Sequence, residues 1–358
     1  MELGRRGWGR VDPNPMVGCV VVRDGRAVAE GWHREVGGPH AEVEALREAG
    51  EAARGACVYV SLEPCAHEGR TPPCTRALIA AGVARVVYGA ADPGERSGGG
   101  SAVLRAAGID VRGPLLTEEQ ALRENPAFFA RARGRAPWVE LKLALSLDGA
   151  IAARAGERTV LTGPEAGEET HRLRAGVQGI MVGVGTVLAD DPLLTARGEP
   201  KPRTPPLRII LDTHARTPPT ARLMRDVQRE GDVLVFVGES APQARIELLR
   251  RAGGEVVRLP GGSAGTGSSG LDLGAALAEL GARGVACVLC EGGARVARSL
   301  LSDGRVDRMH LVFTPRFLGP TGLPGVQGVD PGGAGRWELG EEPLAFGSDL
   351  WTRWERAA

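Results

Sequence analysis

His40-Ala41-Glu42, answered by Glu63-Pro64-Cys65 and by Cys74, decides how the first third of this 358-residue chain is read. His40, Cys65 and Cys74 supply one imidazole nitrogen and two thiolates. Zn²⁺ favours that soft set, and three protein ligands leave the fourth tetrahedral position for water. Bound zinc lowers the pKa of such a water toward neutrality. Glu42 is the expected proton carrier. Two residues along a helix turn the direction by about 200°, so Glu42 is not expected to chelate alongside His40. It comes near the bound water if the pair opens a helix. The same residues also admit a structural zinc knot with His67 as a fourth ligand, or buried cysteines beside a helix-capping histidine.

The His-x-Glu…Pro-Cys…Cys order resembles that of zinc deaminases. Many of these close with Pro-Cys-x-x-Cys, but here eight residues, Ala66 to Pro73, separate the thiols. That longer run resembles the deaminase half of the bifunctional riboflavin-biosynthesis deaminase–reductases. The resemblance implies that Asn14, in Asp12-Pro13-Asn14-Pro15, hydrogen-bonds a pyrimidine, and that His67 and Arg70 hold substrate. Two departures stand out. The chain starts almost at the Pro-Asn-Pro turn, so the family's first helix is expected to be missing and Met1 is in question as the start. The loop Asp92–Gly100 replaces a more proline- and asparagine-rich version in the family, with Asp92 a candidate for facing substrate.

Hydrophobic pattern and turn residues give the framework. Met16–Val22 and Arg26–Gly31 flank Asp24-Gly25 and predict a hairpin. His40–Ala49 reads as a helix stopped by Gly50, and Ala56–Ser61 as a buried strand delivering Glu63-Pro64-Cys65. Thr75–Ala81 is a helix with Cys74 at its start, where the helix dipole favours a thiolate. Val83–Gly89, a helix at Val103–Ala107 and Ile109–Val111 complete an α/β domain of three layers around a mixed sheet. Thr117-Glu118-Glu119-Gln120 forms a capping box and opens a helix to about Arg131. The basic, helix-breaking Ala132–Pro137 places the domain boundary between residues 136 and 137.

In residues 137–358, Val139–Leu147, Gly179–Val184, Leu207–Asp212, Val233–Val237 and Val285–Glu291 are apolar strands. Helices are expected at Pro242–Ala252 and Leu273–Leu280, and late edge strands at Leu311–Phe313 and Leu350–Trp354. Thr162-Gly163-Pro164-Glu165 reads as a second capping box ahead of the helix carrying Arg174. Gly261–Gly270 reads as a connector. Glu291-Gly292-Gly293-Ala294-Arg295 puts paired glycines between a strand and a helix, where backbone N–H groups can approach a phosphate. A plain tight turn is the other reading, and the pattern is not the dinucleotide-binding G-x-G-x-x-G.

Together with Lys142–Gly149, Gly183–Pro192 and Ile209–Thr213, this segment resembles the reductase half of the same family, a fold like dihydrofolate reductase. The resemblance implies NADPH against Ala144, Val160, Thr186, Asp190, Thr213 and the run Gly293, Ala294, Arg295, Val296, Ala297, Arg298 and Ser299. It implies substrate against Arg158, Arg174, Leu194, Arg197 and Glu291. Arg174 and Arg197 suit a fork for a ribose phosphate, and Lys142 would orient or protonate the reacting sugar. Arg158 and Val160 depart from the usual small polar and aromatic residues, which weakens the expected grip on NADPH.

Bulk properties bound the rest. Lys plus Arg and Asp plus Glu number 44 each, so no net field favours nucleic acid or an anionic membrane. No run approaches the roughly 18–20 apolar residues of a membrane span, and no secretory leader is evident. Cysteines outside the motif lie in apolar runs, which fits a reducing cytoplasm. Cys287 and Cys290, three apart on a predicted strand, face opposite ways and are rejected as a redox pair. The expectation is a bifunctional enzyme with one Zn²⁺ per chain and NADPH, acting on small phosphorylated pyrimidines. Family precedent implies a homo-oligomer built through the second domain. The rivals are a nucleoside- or tRNA-type zinc deaminase with an unrelated second domain, and a non-catalytic zinc- and nucleotide-binding relative.

Overall fold

In a computed structural model, Asp24 (φ 50°) and Gly25 (φ 75°) reverse the chain between two strands. Positive φ at both central residues is what a tight hairpin turn requires. The structure describes residues 1–69, 71–94, 97–134, 136–225, 227–262, 270–326, 328–329 and 331–357, except the side chains of 228 and 331. The chain divides into two units, Met1–Arg135 and Ala136–Ala358.

The first unit runs α1 (Glu2–Arg5), β1 (Gly18–Arg23), β2 (Arg26–Trp32), α2 (Ala41–Ala49), β3 (Cys57–Leu62), α3 (Cys74–Ala81) and β4 (Arg85–Ala90). It ends with α4 (Gly100–Ala106), β5 (Asp110–Arg112), α5 (Glu118–Glu124) and α6 (Pro126–Ala132). The sheet order is β2-β1-β3-β4-β5. β1 is antiparallel to both neighbours, while β3, β4 and β5 are parallel. Parallel pairing sends β3 and β4 in one direction, so the end of β3 and the start of α3 share an edge of the sheet. α2 lies so close to β2 that a Cβ on Gly31 would collide with the Ala41 carbonyl and the Ala45 amide.

The second unit begins β6 (Trp138–Ser146), β7 (Ala150–Ala152), α7 (Pro164–Ala175), β8 (Gly179–Gly183), α8 (Val184–Asp190) and β9 (Leu207–Leu211). It continues α9 (Val227–Glu230), β10 (Val233–Gly238), α10 (Gln243–Arg251), β11 (Glu255–Leu259), α11 (Leu273–Ala282), β12 (Cys287–Cys290) and α12 (Ala294–Ser302). β13 (Arg308–Thr314), β14 (Leu323–Pro324), α13 (Pro331–Ala334), β15 (Trp337–Leu339), β16 (Leu344–Phe346) and β17 (Asp349–Arg356) follow. The main sheet runs β11-β10-β9-β8-β12-β6-β13-β17-β15, with β16 also on β17. Strands β11 to β13 of that order are parallel; β17 is antiparallel. One face of β6, Leu141, Leu143 and Leu145, joins the core with Leu277, Leu280, Leu300 and Leu301. The opposite face carries Glu140 and Lys142, in register with Arg308 and His310. Glu140 and Glu355 neutralise the buried Arg308 at 3.0 and 2.7 Å.

Four sequence expectations change. The helix expected to run from 117 to about 131 breaks at Asn125-Pro126 into α5 and α6, because proline cannot extend a helix through its own nitrogen. Thr162–Glu165 is not a capping box: Gly163 is the N-cap, and its N–H donates instead to Asp349 Oδ2 at 2.7 Å. The cap is tertiary, invisible to local spacing. Neither late strand is an edge strand: β13 lies between β6 and β17, and β17 between β13 and β15. Residues 2–5 do form a short helix, packed so tightly that a Cβ on Gly18 would sit 2.7 Å from the Gly4 nitrogen. The expected connector at Gly261–Gly270 lies mostly outside the described residues.

Gly31→Ala has no room to relax, since backbone meets backbone. Urea unfolding of the first unit should show a loss of about 2 kcal/mol or more; an unchanged midpoint would contradict this packing.

Candidate functional site

α2 begins at His40, which is its N-cap in extended conformation (φ −74°, ψ 161°). This turns the imidazole off the helix and toward the end of β3. There His40 Nδ1 lies 3.2 Å from Cys74 Sγ and 3.6 Å from Cys65 Sγ. The ligand atoms of these three residues all lie within 4.8 Å of one another. Tetrahedral zinc with the usual bond lengths sets N and S donors about 3.5–3.8 Å apart, so the donor set fits that ion. Among the described residues the group contains neither Glu42 nor His67, and His67 is exposed. Three donors with an open corner suit catalysis better than a closed structural knot.

The surroundings tune these donors. The Cys65 thiol is pushed down to about 4 by its hydrogen bond with Cys74, helped by His40. Cys74 is pushed up by the same hydrogen bond and by burial. The Cys74 N–H, at the start of α3, also donates to Cys65 Sγ at 3.3 Å. Glu42 is buried in the first turn of α2, and burial raises its carboxyl.

Asn14 is tied to this centre through a residue the spacing did not reveal. Its amide Nδ2 lies 3.0 Å from His33 Nε2, and His33 Nδ1 lies 3.0 Å from the Pro39 carbonyl. Burial lowers the His33 pKa, which favours the neutral ring. The carbonyl can only accept, so Nδ1 carries the proton and Nε2 accepts from Asn14. Thr71 Oγ1 reaches His40 Nε2 at 3.3 Å and is likewise missed by the motif. Asp92 is engaged within its own loop, accepting from Gly94 N–H and Ser97 Oγ. Arg70 lies outside the described residues.

The second unit holds a cleft of ≈ 830 Å³. Of the residues expected to meet NADPH, Ala144, Thr186, Asp190, Thr213, Gly293, Ala294, Arg295, Val296 and Ser299 line it. Val160, Ala297 and Arg298 do not; Val160 is exposed, and the Ala297 side chain is buried in the core. A Cβ on Gly292 would lie 2.9 Å from Val296 Cβ. That glycine therefore lets α12 fold back on the end of β12 and aim its N-terminus at the cleft. Gly293 N–H donates to Thr186 Oγ1 at 3.2 Å, joining α12 to α8.

Of the substrate candidates, Lys142 and Glu291 line the cleft, whereas Arg158, Arg174, Leu194 and Arg197 do not. Arg158 is exposed near Asp190. Arg174 and Arg197 are not an open fork. Arg174 Nε and Nη2 donate to Glu291 at 2.6 and 2.8 Å, and Nη1 to the Thr195 carbonyl at 3.0 Å. Arg197 Nη1 donates to Thr195 Oγ1 at 2.9 Å, and Nη2 meets His171 Nε2 at 2.9 Å. Leu194 is buried with a left-handed backbone (φ 54°). Lys142 is lowered by burial, against the opposing field of Glu291. His171 and Thr195 were not foreseen; an i, i+3 relation between His171 and Arg174 was the only available signal.

Residues 3–90 match the family described as the cytidine and deoxycytidylate deaminase zinc-binding region, and residues 137–337 match the RibD C-terminal domain. Fold and sites therefore define a fused protein of these two domain classes. The riboflavin biosynthesis protein RibD of Escherichia coli (strain K12) is 40% identical over 348 residues, covering 91% of this chain and 90% of its own length. That of Aquifex aeolicus is 38% identical, with 89% and 86% covered. Among solved structures, Acinetobacter baumannii RibD superposes with a TM-score of 0.79 at 34% identity, covering 100% and 96%. A diaminohydroxyphosphoribosylaminopyrimidine deaminase/5-amino-6-(5-phosphoribosylamino)uracil reductase from Thermotoga maritima gives 0.78 at 32%, covering 99% and 96%. The chain belongs to the RibD family of riboflavin biosynthesis proteins.

His171 is held down to about 4 by burial and then by the charges of Arg174 and Arg197. A histidine whose folded pKa lies below its ordinary 6.5 favours folding fully above that value. As pH falls from about 6.5 to 4 the unfolded chain takes up the proton first, and stability is lost. Denaturation between pH 7 and 4 should show wild type losing more stability than His171→Gln; parallel curves would contradict it.

Proposed function

We propose that the protein catalyses two consecutive steps of riboflavin biosynthesis, the first in residues 1–136 and the second in residues 137–358. In the first, 2,5-diamino-6-(5-phosphoribosylamino)pyrimidin-4-one is hydrolysed at C2: water adds, ammonia leaves and a carbonyl remains. In the second, the ribosyl group of the product is reduced to ribityl. The observation that carries this reading is the three-donor group beside a buried carboxylate, in a chain matched over 91% of its length by a riboflavin biosynthesis protein.

His40, Cys65 and Cys74 would hold zinc, which supplies water activated for attack at neutral pH. Glu42, buried and with a raised pKa, would carry a proton between the attacking water and the leaving amine. Asn14, oriented by His33, would hydrogen-bond the pyrimidine, and His67 and Arg70 would meet the ribose phosphate. For the second step, Glu291, Arg174 and Asp349 all bear on the Lys142 ammonium.

NADPH supplies the hydride for C1′. Its bed would be Ala144, Thr186, Asp190, Thr213, Gly293–Val296 and Ser299, with the N-terminus of α12 suited to phosphate. Lys142 would orient and protonate the opening sugar, and Glu291 would hold its hydroxyls. Arg197, less committed than Arg174, would be the principal phosphate ligand, with Arg158 and Leu194 at the periphery. The balanced charge supports a small diffusing substrate rather than nucleic acid. No helix among the described residues is long and apolar enough to cross a membrane. Six free cysteines support a cytoplasmic location. Exposed Leu339, Leu344, Leu350 and Phe317 support self-association through the second unit.

Glu42→Gln should keep about one zinc per chain and lose roughly 10²–10⁴-fold in ammonia release. NADPH oxidation with pre-deaminated substrate should be unaffected. A parallel fall in both activities on one preparation would sink the assignment to two separate sites.

A further inference from the structure

His171 precedes Arg174 by three residues on α7, so both side chains leave the same face of the helix. That face meets the segment Leu194–Arg197. Arg197 is gripped there at both terminal nitrogens: Nη1 by Thr195 Oγ1 and Nη2 by His171 Nε2, each at 2.9 Å. A guanidinium only donates, so Nε2 must be an unprotonated acceptor. The backbone N–H of Arg197 also donates toward Nδ1, at 3.2 Å. A neutral ring has one acceptor nitrogen, and the shorter contact, from the Nη2 donor, assigns it to Nε2.

The charged groups acting on the ring are Arg174 from its own helix, Arg197 from the loop and Glu291 from the end of β12. The two guanidiniums and burial all favour the neutral ring. Arg197 keeps three of its five N–H donors beyond these two contacts, enough for a bidentate grip on a phosphate. Without His171, only the Thr195 hydroxyl would orient a half-mobile side chain. Arg197 is exposed, so its conformational freedom would return and would have to be lost again on binding.

We propose that His171 is a positioning residue for the reductase step: its unprotonated Nε2 holds the Arg197 guanidinium in the orientation that receives the substrate's 5′-phosphate. The inference rests on reading Arg197 as a phosphate ligand.

The test is steady-state NADPH oxidation by the full-length enzyme with the deaminated substrate and with its dephosphorylated counterpart. His171→Phe fills the ring's space without an acceptor. It should raise KM for the phosphorylated substrate about tenfold, with kcat within about twofold and KM for the dephosphorylated compound unchanged. His171→Gln, which returns an acceptor oxygen near the position of Nε2, should bring KM back to within about threefold of wild type. Equal effects on both substrates, a loss confined to kcat, or failure of His171→Gln to rescue would overturn the proposal. Arg197→Met separates the two layers of the argument. If it leaves the phosphorylated KM unchanged, the phosphate reading fails and takes this inference with it. If it raises KM while His171→Phe does not, only the role of His171 fails.

Discussion

Parallel strand pairing is the constraint on which both sites depend. When neighbouring strands run the same way, their C-terminal ends and the helix starts that follow gather along one edge. In the first unit β3 ends at Glu63-Pro64-Cys65 and α3 starts at Cys74, while α2 brings His40 as its N-cap. In the second unit β8, β9 and β12 are parallel neighbours, and each ends at the cleft: Gly183, Leu211 and Glu291 all line it. Helix starts carry partial positive charge and unpaired N–H groups. The same topology that delivers thiolates to a metal in one unit thus delivers an anion-binding rim in the other.

Charge is handled in two ways within the second unit, and the contrast separates framework from site. Arg308 is buried between Glu140 and Glu355, with His310 and Trp138 completing the bonds of Glu140. That network runs on from Glu355 to Arg353 at 3.2 Å, and Glu140 is held down to about 2: Arg308 and His310 more than offset burial. Breaking such a buried pair costs several kcal/mol, about 3–5, so the arrangement locks β6 to β13 and β17. Around Glu291 the balance differs. Arg174 takes both carboxylate oxygens, while Lys142 and Arg197 stand nearby with fewer anions to answer them. Of these groups Lys142 and Glu291 line the cleft.

The deaminase centre was legible because its chemistry is compressed. Three donors and a carboxylate fall between residues 40 and 74, in types that zinc chemistry recognises. The hairpin, the Thr117 capping box and the buried strands were legible for a related reason, since local backbone preferences decide them. What escaped was set by distant partners. Asp349 caps α7 from 186 residues away. His33 acquires its role only when Asn14 folds back against it. His171 and Thr195 matter because the loop after Asp191 returns to α7, and no periodicity announces that return. The paired glycines at 292–293 were read as a phosphate approach; Gly292 is also demanded by contact with Val296. A sequence cannot separate those two reasons, because both select the same residue.

That returning loop carries backbone strain where it does its work. Asp191 (φ 42°) and Leu194 (φ 54°) occupy the left-handed region without being glycine, at a cost of order 1–3 kcal/mol each. Such conformations persist only where surrounding contacts over-determine them. Here the Arg222 N–H donates to Asp191 Oδ1, the Arg208 guanidinium reaches the Leu193 carbonyl, and Arg174 takes the Thr195 carbonyl. Leu194 is itself buried, so its side chain anchors the bend. A relaxed loop would keep the same residues in the same order yet carry Thr195 away from Arg174, and Arg197 away from His171. The strain at Leu194 therefore serves the same end as the Arg174–Glu291 pair: both fix the place of a guanidinium, Arg197 through its loop and Arg174 through its carboxylate partner.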